Sequence, residues 1–389
     1  MARNGFRTAQ YGKLRIRQNR EFYQSLSGPD ATALYNRGRL RWNRISMEMF
    51  IFRHEAYLVQ YNCSIKTSEE WYKMHQPHIT VGVLSIVMGL LYAGLYVFCI
   101  VVMAKPELRQ NSCYKIMMYL GAIDLVALLF NCIFTGMMFI DGAVFCSYPT
   151  IIYITGCIAN GLWANQSFTC VLLAINRVLD ICDRHWVRCL FAGKRTYIWL
   201  VAAASYMVLF AFYTSPVLFS ANSGTWMLHA FYKQGVNIDF EVDLRTKVIR
   251  LANNATMVVC LVVLYSILSV KLWRSKAKMG IQRRTDCHIS RFQKQAVLIC
   301  LINMITAFTE VVQFVDFPFT VTVIALMIWQ ASNGAVSLIY LALNRTIRRG
   351  VHQMVSNKPM VQEIFKKKMQ ASAKQHSTMT IMPETPFAL

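Results

Sequence analysis

Seven long intervals with almost no charged side chains limit the fold of this chain more than any other feature. Five of them contain no Asp, Glu, Lys or Arg, and two contain a single carboxylate: 79–103, 116–140 (with Asp124), 149–176, 196–228, 251–270, 295–315 (with Glu310) and 317–344. A helix needs about 20 apolar residues to cross the hydrocarbon core of a bilayer. Because lipid cannot hydrogen-bond exposed backbone, the intervals predict an all-α membrane protein, a bundle of seven transmembrane helices.

The overall composition agrees with a chain embedded in a lipid bilayer. Of its 389 residues, 55% are hydrophobic and only 15% are charged, whereas soluble domains carry about 25% charged residues. This balance excludes an ordinary soluble enzyme, a disordered chain and a collagen-like chain. The bilayer is therefore the first partner that the sequence predicts.

The distribution of Lys and Arg predicts the orientation of the bundle. If the N-terminus lies outside, the inner segments 104–115, 177–195, 271–294 and 345–389 contain 24 of these residues, and the outer segments 141–148, 222–250 and 316–318 contain four. Loops on the cytoplasmic side carry the excess of positive charge. We therefore expect the N-terminus outside and the C-terminus in the cytoplasm, with a short amphipathic eighth helix at the inner interface after the seventh span.

The segment before the first span is unusually basic. Residues 1–53 contain eleven Lys or Arg and lack the apolar core of a signal peptide. Two explanations stay open: translation begins at Met47 or Met49, which we favour, or the segment is an arm that touches lipid or nucleic acid. No nucleic-acid partner is expected. The predicted organisation is a disordered extracellular segment (1–75), a membrane domain (76–345), and an interfacial helix with a disordered cytoplasmic tail (346–389).

Two of the twelve cysteines fall in segments that are predicted to face the outside. Cys63 precedes the first span and Cys146 precedes the third, and the outside is the oxidising compartment in which disulfides form. They are predicted either as a disulfide that joins the N-terminal segment to the third helix or as two free thiols. Asn62 belongs to an N-x-S triplet, which is a glycosylation acceptor. The cysteines have no paired metal-ligand spacing, so neither a metal nor a cofactor is expected.

Polar side chains inside the spans indicate a site within the bundle. Asn160, Trp163 and Ser167 recur at i, i+3 and i+7 and share one face of the third helix. Since a lipid-facing stripe would not carry such groups, this face should line the interior. The predicted ligand cavity, of the kind found between helices of bundles, is lined by Asn160, Trp163, Glu310, Gln313, Gln330 and Asn333. For Glu310, snorkelling to the outer interface is an equal alternative. Asp124 is the second intramembrane carboxylate and predicts a buried polar switch.

Several motifs resemble those of rhodopsin-like G-protein-coupled receptors. They are Asp124 in the second helix, 176–178 (Asn-Arg-Val) at the end of the third, Trp199 in the fourth, and Tyr340 with Asn344 and Arg348 at the end of the seventh. The segments 112–117, 135–136, 142–149, 161–163 and 173–177 are more closely similar to nematode serpentine chemoreceptors of class T. The resemblance implies a chemosensory receptor of the plasma membrane, expected on sensory cilia, that binds an extracellular small molecule or peptide and activates a heterotrimeric G protein.

The resemblance also implies a set of switch and coupling residues: Asp124, Asn176, Arg177, Tyr265 and Tyr340. Asn176 departs from the pattern, because the receptors have an aspartate beside this arginine. Arg177 therefore lacks its neighbouring carboxylate, which indicates either a looser inactive state or a different lock for that state. The outer loop 222–248 contains no cysteine, so the bridge that such receptors commonly make there cannot form. This leaves Cys63 as the candidate partner of Cys146.

Two other classes of function are disfavoured by the sequence. A transporter or ligand-gated channel would show several intramembrane charges along a path, or internal repeats, but Asp124 and Glu310 lie at separate depths and no repeat is evident. An intramembrane metal enzyme would need three or four converging ligands, whereas the eight histidines lie in loops, tails or span edges. The sequence does not decide between a monomer and a homo- or heterodimer.

Overall fold

Six long apolar helices dominate the structure. The computed structural model describes residues 47–231, 244–278, 295, 298–299, 301–307, 309 and 317–356. Within these residues, six helices are long and apolar enough to cross a membrane: Ile79–Met103, Ser112–Asp141, Pro149–Cys182, Arg195–Tyr213, Leu244–Lys271 and Phe319–Leu343. They are called the first, second, third, fourth, fifth and seventh spans. The described residues of the predicted sixth span, 295–315, are also helical.

The third span is the central helix of the bundle. It contains 34 residues, and 72% of its most apolar stretch is buried, against 22% for the fourth and fifth spans. Pro149 occupies the first turn, where its missing N–H is not needed. Gly161 lies so close to the backbone of Met207 in the fourth span that a side chain would clash there. Small residues allow close helix contact in lipid.

The second span is continuous but irregular. An α-helix, Ser112–Leu128, passes through a π-helical turn, Leu129–Phe134, into a second α-helix, Thr135–Asp141. A π-turn shifts the hydrogen-bond pattern, and its backbone groups must find partners inside the membrane. Thr135 Oγ1 donates to the carbonyl of Phe130 over 2.9 Å, and Gln330 Nε2 donates to the carbonyl of Asn131 over 2.5 Å.

The charge-free interval 196–228, of which residues 222–228 are assigned to an outer loop, is helical only in its first part. The helix ends at Tyr213, and Thr214 is extended. Pro216 also disfavours a helical conformation at Ser215, the residue directly before it. An antiparallel hairpin follows, with strands β1 (Leu218–Ser220) and β2 (Thr225–Met227) and Phe219 opposite Trp226. The residue at the turn, Gly224, has a φ of 74°, which favours glycine.

The hairpin is buried among the spans. Both strands are fully buried, and Trp226 Nε1 donates to Thr135 Oγ1 of the second span over 2.9 Å. Thr322 Oγ1 of the seventh span donates to the carbonyl of Ser223 over 2.7 Å. An apolar stretch that seemed long enough to cross the membrane is therefore a plug between helices.

The prediction of a disordered segment over 1–75 is wrong for residues 47–75, which we call the N-terminal lid. The lid contains helices Met47–Phe52, His54–Gln60 and Ser68–Tyr72 and a 3-10 turn, Cys63–Ile65. Its aromatic rings pack around Tyr153 of the third span, with ring centroids 5.5, 4.8 and 5.0 Å away for Phe50, Tyr57 and Tyr61. The lid is therefore ordered by aromatic contacts with the third span. Helical periodicity in the sequence does not indicate such contacts.

A disulfide joins the lid to the bundle, and a capping box stabilises one of the helices within the lid. Cys63 is joined by a disulfide to Cys146, which lies in the 3-10 turn Phe145–Ser147 before the third span. Thr67 and Glu70 form a capping box at the start of the third lid helix. The Thr67 backbone N–H and hydroxyl that donate to the Glu70 carboxylate lower its pKa.

The opposite end of the bundle carries three short helices, Pro106–Arg109, Arg184–Phe191 and Arg345–Ser356. The last corresponds to the predicted eighth helix. Asn344 Oδ1 accepts hydrogen bonds from the backbone N–H groups of Thr346 and Ile347 and so caps its start. Ile347 is fully buried, whereas Arg348 and Arg349 are exposed, which is the amphipathic pattern of an interfacial helix.

The disulfide predicts a specific pattern of stability. Cys63→Ser and Cys146→Ser should each lower the free energy of unfolding by about 2–4 kcal/mol, because each removes the same crosslink, and the double variant should lose no more than either. Thermal unfolding of the purified protein in detergent measures this. Cys189→Ser is the control, because this thiol is free and exposed. Additive losses would mean that the two sulfurs act independently.

Candidate functional site

A small cavity lies between the hairpin and the third, fifth and seventh spans, and we call it the upper cavity. Its wall includes Asn160, Trp163, Thr225, Arg250 and Trp329, and its volume is about 30 Å³. A cavity of this size holds ordered water, whereas sites for drug-sized molecules measure about 300 Å³ or more. The described part of the predicted ligand site therefore has no room for a drug-sized molecule in this conformation.

Arg250 is the buried cation of the upper cavity, and the sequence analysis missed it. The side chain is 2% exposed, its Nη1 donates to Asn160 Oδ1 over 2.5 Å, and its guanidinium carbon lies 4.8 Å from the centre of the Trp163 ring. Asn160 also donates from Nδ2 to the carbonyl of Ser215 over 2.6 Å. Two residues predicted to contact ligand thus surround a positive charge.

The position of Arg250 beside a charge-free interval explains the omission. The charge-free interval 251–270 begins directly after Arg250, so the sequence alone assigns this residue to the outer loop. In the structure the fifth helix already begins at Leu244. Arg250, Asn254 and Met257 are all buried, and their spacing of i, i+4 and i+7 is that of one helix face. That spacing is the signal that could have placed Arg250 inside the bundle.

A second cavity, of about 40 Å³, lies deeper in the bundle, and we call it the lower cavity. Its wall includes Asp124, Trp163, Gln166, Met257 and Asn333. Trp163 of the third span and Trp329 of the seventh line both cavities. The third span therefore supplies a wall that runs from one cavity to the next.

One amide group connects three spans at the lower cavity. Gln166 Nε2 donates to Asp124 Oδ1 over 2.7 Å and to Asn333 Oδ1 over 3.2 Å. The Tyr96 hydroxyl of the first span donates to the other carboxylate oxygen, Oδ2. We call Tyr96, Asp124, Gln166 and Asn333 the polar hub. Gln166 was not among the predicted site residues, although a glutamine in the middle of a span is itself a signal, because it must find partners there.

The switch residues lie at the end of the bundle opposite the lid. Asn176 Nδ2 donates to Ser112 Oγ over 2.9 Å. Arg177 is 6% exposed, and its Nη2 lies 3.7 Å from Met117 Sδ. The guanidinium also interacts with the Cys113 side chain and lies within electrostatic range of Tyr265 and Tyr340. Among the described residues, Arg177 Nε and Nη1 and the Tyr340 hydroxyl have no hydrogen-bond partner.

The remaining predicted site residues separate into three cases. Gln330 does not belong to the wall of either cavity, because its amide donates to the π-turn of the second span. Asn62 accepts the backbone N–H of Ser64 over 2.9 Å and caps the turn that contains Cys63. Glu310 and Gln313 lie outside the described residues, and their assignment stays a prediction.

The fold and these networks define a class of protein: a helical membrane bundle with a polar interior and a lidded end. Residues 46–364 match the family described as "Serpentine type 7TM GPCR chemoreceptor Srt". The chain belongs to this family, which confirms the resemblance to class T receptors and the seven-helix bundle. It is also 24% identical to Serpentine receptor class T-55 of Caenorhabditis elegans over 316 residues, which cover 79% of this chain and 83% of that protein.

The polar hub predicts a measurable coupling between two spans. Gln166→Leu and Asp124→Leu should each lower the free energy of unfolding by about 1–3 kcal/mol, because each removes the hydrogen bond between Gln166 Nε2 and Asp124 Oδ1 and leaves a buried polar partner with one hydrogen bond fewer. The double variant should fall short of the sum by about 0.5–3 kcal/mol. Thermal unfolding provides the measurement.

Ser332→Ala is the matched control for the hub. Ser332 lines the same cavity, but its hydroxyl donates to the carbonyl of Trp329 in its own helix. Its replacement should change stability by no more than about 0.5 kcal/mol. Strict additivity of Gln166→Leu and Asp124→Leu would contradict the hub.

Proposed function

We propose that this protein is a chemosensory receptor that binds an external chemical cue and activates a heterotrimeric G protein. The observation that carries the proposal is the polar face of the third span. It contacts the buried cation Arg250 through Asn160, the polar hub through Gln166, and the opposite end of the bundle through Arg177. A receptor needs such a connected path, because the cue and the G protein bind at opposite ends.

The lid end faces the outside in this proposal, at the plasma membrane. The disulfide between Cys63 and Cys146 belongs to the lid end, and disulfides form and persist in oxidising compartments. The other end carries the eighth helix with exposed Arg348 and Arg349, in agreement with the excess of positive charge on cytoplasmic loops. The orientation with the N-terminus outside therefore has two independent supports.

The cue acts by favouring one of two packings of the bundle. A ligand shifts such an equilibrium only by its difference in affinity for the two states. The upper and lower cavities measure only about 30 and 40 Å³. A cue that needs more space therefore prefers a packing in which the third, fifth and seventh spans have moved apart. Asn160, Trp163 and Arg250 are the proposed contacts of the bound cue in the upper cavity. Asn333 is the proposed contact in the lower one.

Arg177 is the proposed coupling residue at the inner end. Its guanidinium is held by a methionine sulfur, and two of its N–H-bearing nitrogens have no hydrogen-bond partner among the described residues. A buried donor without an acceptor costs about 1–3 kcal/mol, and more when it is charged. A G-protein segment that offers carbonyl oxygens would satisfy these donors when the inner end opens beside Tyr265 and Tyr340.

The test is a calcium or cAMP readout in cells that express the receptor, challenged with volatile, soluble and peptide cues with and without co-expressed Gα. Arg177→Ala should reduce the cue response by about tenfold, equivalent to 1.4 kcal/mol, while surface expression stays unchanged. Arg184→Ala is the matched control, because Arg184 is an exposed arginine at the same end of the bundle, and its loss should reduce the response less than about twofold.

Two results would contradict the proposal. Equal loss of response and of surface expression in Arg177→Ala would assign this residue to membrane anchoring. A cue-gated current that persists without Gα would indicate a ligand-gated channel instead of a G-protein-coupled receptor.

A further inference from the structure

A third cavity opens on the side of the bundle, between the third, fourth and fifth spans, and we call it the lateral crevice. Its volume is about 550 Å³, more than ten times that of either interior cavity. Its wall is mostly apolar and includes Phe168, Leu172, Trp199, Ile249 and Met257. A volume of about 300–1,000 Å³ with an apolar wall and a few polar groups is typical of a small-molecule site.

The open side of the crevice faces the bilayer. All three helices that form it are membrane spans, and Ala252 and Thr256 on its rim are exposed. Neighbouring apolar side chains on the fifth span, Leu251 and Val259, are 67% and 60% exposed. An occupant of the crevice therefore comes from the lipid phase.

A short chain of polar groups lies on the wall of the crevice. The Tyr206 hydroxyl donates to Asn253 Oδ1 over 2.9 Å, and Asn253 Nδ2 donates to Ser167 Oγ over 3.3 Å. A phenol oxygen and an amide oxygen each accept more than one hydrogen bond, so this chain can bind one further donor. None of the described residues that line the crevice is charged, which favours a neutral polar group on the occupant.

The crevice shares two wall residues with the lower cavity. Ser167 and Met257 line both spaces, so the same side chains contact an occupant on one face and adjoin the polar hub on the other. Methionine has an unbranched, adaptable side chain that repacks easily. An occupant that displaces Met257 therefore changes the space available beside Asp124 and Gln166.

The lid and the hairpin favour entry through the crevice. Thr225 of the hairpin forms part of the upper cavity wall, and the hairpin is tied to the second and seventh spans by Trp226 and Thr322. A cue that approaches from the lid end meets this plug and a cavity of about 30 Å³. A cue dissolved in the bilayer reaches the crevice without moving either element.

We propose that the lateral crevice is a binding site for a membrane-dissolved amphiphile with a long apolar body and one neutral hydroxyl group. The apolar body lies against Phe168, Leu172 and Ile249, and the hydroxyl donates to the chain of Tyr206 and Asn253. Binding at the crevice stands by itself. Only its effect on signalling, through Ser167 and Met257, rests on the proposed function.

Photolabelling tests the binding step without any G protein. The full-length receptor in phosphatidylcholine nanodiscs is labelled with a long-chain primary alcohol that carries a diazirine, and the labelled peptides are identified by mass spectrometry. We expect saturable labelling of residues 168–175 and 249–257, and competition by the unlabelled alcohol. Labelling spread evenly and without saturation over all lipid-facing helices would mean annular lipid only, and would overturn the proposal.

Three variants sharpen this experiment. Ala252→Trp fills the crevice from its rim and should reduce the specific labelling about tenfold, equivalent to 1.4 kcal/mol. Val263→Trp is the matched control, because Val263 is 50% exposed and lies about three turns further along the same face of the fifth span; its labelling should not change. Asn253→Leu should weaken competition by the alcohol about fivefold and leave competition by the corresponding alkane unchanged. Thermal unfolding confirms that each variant is folded.

The outcomes separate the two proposals. Equal labelling of Ala252→Trp and the unsubstituted receptor would overturn the crevice site, whatever the signalling assay gives. Saturable labelling that Ala252→Trp removes, in a receptor that gives no Gα-dependent response to any cue, would support the site and contradict the proposed function.

Discussion

The hydrogen-bonding requirement of polar groups inside a bilayer determines how this bundle is assembled. Lipid offers no partners, so each buried amide, carboxylate or freed carbonyl must be satisfied by another helix. Gln166 satisfies Asp124 and Asn333 together, and Gln330 satisfies the π-turn of the second span. These contacts fix the positions of the second, third and seventh spans relative to one another, which apolar packing against lipid-like side chains alone would not specify.

The same requirement gives the two ends of the molecule different properties. At the lid end Arg250 contacts Asn160 and Trp163, and Tyr153 is surrounded by lid rings. At the other end Arg177 contacts a sulfur atom, and Asn176 is bonded to Ser112 instead of providing a carboxylate. The cation at the lid end thus contacts an amide and an aromatic ring, whereas the cation at the other end contacts sulfur. Buried polar atoms without a partner among the described residues occur at both ends, with Ser220 Oγ at the lid end and Arg177 Nη1 at the other.

Much of the fold could be predicted from the sequence, because helix length and apolarity are local properties. The first, third and seventh spans match charge-free intervals almost residue for residue, and the eighth helix follows from the basic residues after Asn344. The failures were non-local. The stretch 214–228 is apolar enough to continue a span, yet it forms a hairpin whose Trp226 bonds to the second helix. The segment 47–75 was expected to be disordered, but its rings pack on Tyr153.

For the site, the sequence by itself determined the class of protein, the central third helix and the polar residues Asp124, Asn160, Trp163 and Arg177, because polar groups are conspicuous in apolar spans. Only the tertiary structure decided what each one contacts. It assigned Gln330 to the π-turn and placed Arg250 beside Trp163. It also opened the lateral crevice between three helices. Apolarity and periodicity are properties of a single helix, whereas a hydrogen-bond partner or a cavity exists only once several helices have packed together.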